Sequence, residues 1–75
     1  TNLYVLERGG NALRVVDAAG KIRTVAGGAS KTPAAASVPA LQAGLNGPKF
    51  VWAEKDGSVL IADAENHLVR RYVPG

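Results

Sequence analysis

Seventy-five residues carry nine Lys or Arg against six Asp or Glu, a net charge of +3, with no cysteine. That is one small domain at most, near the size at which a single core struggles to support itself, and neither disulfides nor a thiolate metal site can brace it. Only Arg70 and Arg71 are adjacent cations, so the clustered pattern of a nucleic-acid arm is missing and nucleic acid is disfavoured as a partner; nor does any stretch reach the ~20 apolar residues of a membrane span.

The chain opens at Thr1 directly in a strand pattern, without an initiator methionine or a charged leader ahead of an apolar core; the expectation is that something upstream is missing. Six short apolar runs read as strands, at 3–7, 12–17, 21–26, 49–54, 58–63 and 67–73. Each is rich in Val, Ile, Leu or aromatic residues, which suit a pleated surface. Gly9-Gly10-Asn11, Ala19-Gly20, Asp56-Gly57 and Glu65-Asn66 lie between them. Asp-Gly is a strong hairpin pair, because both residues tolerate the positive φ that tight turns need. The predicted fold class is therefore all-β, built of antiparallel meanders. Leu3 to Leu6 and Val59 to Ala62 are apolar throughout, and strands without alternation imply burial on both faces.

Residues 27–47 are rich in Ala, Gly, Ser and Pro. A connection that long in a compact domain is usually functional or disordered. Leu41 and Leu45 are the expected anchors that hold it against a sheet edge. Beyond it, a constant shift of 56 residues aligns Tyr4-Val5-Leu6-Glu7 with Leu60-Ile61-Ala62-Asp63, and Gly10-Asn11-Ala12-Leu13-Arg14 with Asn66-His67-Leu68-Val69-Arg70. One gapless offset thus relates strand, corner and arginine in two copies.

The second copy carries Pro48, Asp56-Gly57, Val59-Leu60-Ile61-Ala62-Asp63, Asn66-His67 and Val69-Arg70. This run resembles the NHL repeat, the blade unit of a family of β-propellers. Thr24-Val25-Ala26-Gly27 and Pro39 to Pro48 are similar to the ends of the long inter-blade loop of bacterial members. The family's Gly-Asp-Gly is replaced by Ala36-Ser37-Val38, so no turn or ion-binding property of that stretch carries over. The resemblance implies strands b-c-d of one blade in 1–26, an inter-blade loop in 27–47 and strands a-b-c of the next blade in 48–75, about one and a third repeats. Each blade would lack one strand, and copies of this chain have no spare a or d strand to lend. A fragment of a larger propeller, or a part that assembles in a non-standard way, is then expected, with other blades as its partners.

Asp63 and Arg70 flank one corner on neighbouring strands. Asp63 is expected to cap the turn through backbone N–H groups, with Arg70 as a candidate ion-pair partner and Glu7–Arg14 as the equivalent pair. The competing reading makes Asp63 a metal ligand or general base. His67 is the sole histidine, and metal or acid–base sites normally need converging partners. Asn66, His67, Gly57 and Pro48 are accordingly read as structural positions of the motif. Phe50 and Trp52 are expected in the core, whereas an exposed Trp52 would suggest a sugar- or base-stacking surface. No phosphate loop, nucleophile elbow or metalloprotease signature is present, and no catalytic residue, metal or cofactor is expected. The leading functional reading is a non-catalytic binding scaffold with a protein or glycan ligand. The alternatives are a self-associating piece, natural or engineered, a fragment of a lyase- or lactonase-like enzyme, and an RNA-binding face.

Overall fold

The short apolar runs form strands because their β-branched and aromatic side chains fit a pleat, and each run ends where the backbone must enter a positive-φ turn. The computed structural model describes residues 2–28 and 39–74; Ala36-Ser37-Val38 lies outside them. The chain is all-β: β1 (Leu3–Glu7), β2 (Ala12–Val16) and β3 (Ile22–Gly27) form one antiparallel sheet, and β4 (Phe50–Ala53), β5 (Val59–Asp63) and β6 (Leu68–Tyr72) form a second. Single 3₁₀ turns lie at Ala40–Gln42 and Ala64–Asn66. No helix among the described residues is long and apolar enough to cross a membrane.

Each hairpin is closed by short-range polar chemistry. The Asp17 Oδ1 atom accepts from the Ala19 and Lys21 amides at 2.9 and 3.0 Å, and Gly20 completes that turn at φ 83°. Between β4 and β5, the Asp56 carboxylate accepts from the Ser58 amide at 2.9 Å, and Gly57 alone takes positive φ, at 93°. Asp56 therefore serves the turn with its side chain, not with the left-handed backbone expected of both residues. The Ser58 hydroxyl lies 2.6 Å from Asp56 and 2.7 Å from Glu54, and its single hydrogen serves one carboxylate at a time. The hydrogen bonds from Ser58 hold the Asp56 carboxyl below its ordinary range.

The 56-residue shift is visible in the backbone. Asn11 and His67 hold the same corner of successive copies, and they are the two non-glycine residues with positive φ among the described residues, at 54° and 57°. The shift makes β1 the counterpart of β5 and β2 the counterpart of β6.

The two sheets pack face to face. Leu13, Val15, Val25 and Ala26 of the first sheet meet Val59 and Ile61 of the second, with Leu45 of the connection in the same cluster. Leu13, Val59, Ile61 and Leu45 are all but sealed from solvent, each stabilising the fold by about 1.5–3 kcal/mol relative to exposure. A register shift between Leu13 and Arg14 lets both Val25 and Ala26 join this core. Tyr4 and Tyr72 close one side edge to face, with ring centroids 6.2 Å apart, and burial there pushes the Tyr72 phenol above its ordinary value.

Burial on both faces, expected from the unalternating strands, is not what the chain shows. Leu3, Val5 and Ile22 lie on the outer face of the first sheet, and Phe50, Trp52 and Val69 on that of the second, all exposed. Phe50 and Trp52, 75% and 71% exposed, are therefore not core residues. The reason is register: Val51 and Ile61 take the inward positions, which sends their strand neighbours outward.

Candidate functional site

Two polar residues of the second copy, Asp63 and Asn66, converge on the connection between the sheets. Asp63, fully buried at the end of β5, accepts the Asn46 amide at 2.7 Å through Oδ1 and the Asn66 side-chain amide at 2.8 Å through Oδ2. The Asn66 Nδ2 atom also donates to the Gly44 carbonyl at 2.9 Å. From the other sheet, Asn11 Oδ1 accepts the Gly47 amide at 2.9 Å. The backbone adds Glu65 N–H to the Asn46 carbonyl at 3.0 Å and Lys49 N–H to the Ala62 carbonyl at 3.0 Å. The segment 44–49 is thus tied to both sheets, with Leu45 and Pro48 buried beneath it.

This clamp needs those residue types. A loop has few backbone acceptors near its own amides, and buried N–H groups must find partners. An Asp offers two acceptor oxygens and satisfies an amide and a side-chain donor together. Asn66 joins the two halves because its NH₂ has two hydrogens to give.

Asp63 differs from expectation in its partners. It makes no cap to the 3₁₀ turn that follows it and no ion pair with Arg70. The ladder sets Asp63 opposite Leu68 and Arg70 opposite Ile61, and both Asp63 oxygens already have donors. In the first copy, Glu7 and Arg14 do pair, at 3.6 Å on a partly exposed face, a contact of small energy. The Arg14 Nε atom is buried without a partner. The His67 side chain projects from the corner, exposed, while its backbone N–H donates to the Ala64 carbonyl at 3.1 Å. Leu45 anchors the connection as expected, whereas Leu41 is 56% exposed.

Sequence reading treated Asn11 only as a turn residue and so missed half of the clamp. Its equivalence to His67 under the 56-residue shift was the available signal, together with the tolerance of Asn for left-handed backbone. Arg71 was missed too: its Nε donates to Glu54 at 2.9 Å on the outer face of the second sheet. Trp52 stands there beside a shallow, open groove lined also by Ala53, Glu54, Lys55 and Asp56.

Since His67 is exposed and left-handed, its side chain is dispensable to the fold. His67→Gly is expected to keep the thermal midpoint or raise it slightly, because glycine removes the positive-φ penalty. A clear fall in the midpoint would show that the imidazole has a structural partner.

Among the described residues, no group of three or more His, Cys, Asp or Glu side chains is placed to hold a metal ion. No protein-family model, curated protein or solved structure matches the chain.

Proposed function

We propose that the chain is a non-catalytic scaffold: a pair of NHL-type propeller blades, b-c-d and a-b-c, belonging to a larger or oligomeric ring that binds protein or another ligand. The observation that carries this reading is how three polar residues at the ends of the strands are used. Asp63, Asn66 and Asn11 all direct their hydrogen bonds at the connection between the sheets. Groups so engaged hold two repeats at a fixed angle, and none of them faces an open cleft as a reacting acid or base would. The exposed Phe50 and Trp52 supply the aromatic surface on which a scaffold engages a partner. Other blades are the first such partner, and a protein or glycan ligand the second.

The repeat itself defines a test. The outer edge of β1 corresponds to the edge of β5 that β4 covers, and the outer edge of β6 corresponds to the edge of β2 that β3 covers. Fusing a copy of residues 48–58 ahead of Leu3, and a copy of residues 17–28 after Tyr72, completes two four-stranded sheets. The blade reading predicts a higher thermal midpoint and a stronger β spectrum for the extended chain. An unchanged or lower midpoint would count against blades as the unit of construction.

A further inference from the structure

We propose that a second copy of this chain docks on the exposed outer face of the β4–β5–β6 sheet through the exposed outer face of its own β1–β2–β3 sheet, so that copies stack head to tail. The inference rests on the blade reading and adds the partner and the geometry of the contact.

The 56-residue shift assigns a counterpart to each exposed position. The inward face of the first sheet presents Tyr4, Leu6, Leu13 and Val15. Their counterparts in the second sheet are Leu60, Ala62, Val69 and Arg71, which share its outward face. Conversely, Val59, Ile61 and Tyr72 on the inward face of the second sheet correspond to Leu3, Val5 and Val16 on the outward face of the first. The interface inside the chain therefore joins two different faces, and one example of each is left uncovered. Those two faces are the counterparts of the pair that already packs together, so the internal contact is the template for the external one.

The uncovered faces have the composition that such a contact needs. One offers Leu3, Val5 and Ile22, the other Phe50, Trp52 and Val69, all exposed. Apolar patches gathered on one face of a small chain mark interaction surfaces more often than scattered exposed residues do. Arg71, standing where the first sheet has Val15, comes with its own counter-charge in Glu54 at 2.9 Å. A contact between unlike faces is heterologous: it leaves a free face at each end and grows into a ring if the rotation closes, or into a filament if it does not.

The test uses two exposed positions on opposite faces, Val69 and Leu3, 74% and 63% exposed. Mass is read by light scattering and fold by far-UV circular dichroism, for the wild type, Val69→Asp, Leu3→Asp and an equimolar mixture of the two variants. The head-to-tail contact predicts a concentration-dependent mass above the monomer for the wild type. Each variant alone is monomeric with an unchanged β spectrum. The mixture forms a dimer and grows no further, because Val69→Asp retains one face of the contact and Leu3→Asp retains the other. A wild type that stays monomeric while showing a β spectrum overturns the stacking and leaves the blade reading standing. Persistent association of either variant alone shows a like-with-like contact and also overturns it. A wild type without a β spectrum overturns the blade reading and the stacking with it.

Discussion

Gly27→Ala is expected to destabilise the chain by about 2–5 kcal/mol, a large share of the stability of a domain of this size. Gly27 ends β3 at φ 74°, and a Cβ built there would lie 2.4 Å from the Asn11 carbonyl oxygen and 2.8 Å from Leu45 Cδ1. Two costs add. A left-handed backbone disfavours any residue with a Cβ by roughly 1–2 kcal/mol. Forcing atoms into a filled site costs roughly 1–3 kcal/mol more, and the Asn11 oxygen cannot simply yield, since it also accepts the Gly28 amide at 2.9 Å. Average stabilities of about 0.05–0.15 kcal/mol per residue put the whole fold in the range of about 4–11 kcal/mol. Gly20→Ala separates the two costs: Gly20 has φ 83° with no atom within 4 Å of the added Cβ, so only the conformational share, about 1–2 kcal/mol, is expected. Urea unfolding of the two variants side by side checks this, and equal losses would show that the close approach at Gly27 carries no energy.

Asp63→Ala is expected to cost about 1–3 kcal/mol, the usual penalty for leaving buried polar partners unpaired. The Asn46 amide and one hydrogen of the Asn66 side chain lose their acceptor together. For a chain of this length each kcal/mol lowers the thermal midpoint by about 4–8 °C. Asp63→Asn should fall between wild type and alanine: its remaining oxygen can still serve Asn46, while its NH₂ would confront that of Asn66. Because Asp63 and Asn66 act in one network, the losses in Asp63→Ala and Asn66→Ala should not add in the double variant. A change in Asp63→Ala within about 0.5 kcal/mol of zero, the range of ordinary surface substitutions, would contradict the clamp.

What could be read from the sequence was what is decided locally. The strands lie within a residue or so of the expected bounds, because β-branched runs and the Asp, Gly and Asn residues between them act over a few positions. The all-β class follows from the same signals. The 56-residue shift found an equivalence that the backbone expresses as matching left-handed corners at Asn11 and His67. The errors concern contacts between residues distant in the chain. Apolar strands say that burial is available to both faces, but which face is covered depends on how the sheets meet, and this leaves Phe50 and Trp52 outside. Leu41 and Leu45 look alike in sequence, yet only Leu45 reaches the space between the sheets. The corner next to Asp63 in sequence is its obvious local partner, yet the amide it accepts, Asn46, lies 17 residues away. Asn11 and Gly47 are separated by 36 residues, and no local pattern announces such a bond.

The connection between the sheets is bound to both of them, making two repeats one unit. Amide hydrogen exchange at Asn46 and Gly47 tests it most directly, because both N–H groups donate to side chains, Asp63 and Asn11, in a segment outside any strand. The clamp predicts protection at both amides comparable to that of β5, with protection at Asn46 lost in Asp63→Ala. Exchange at Asn46 and Gly47 as fast as in an unstructured chain, while β5 stays protected, would contradict it.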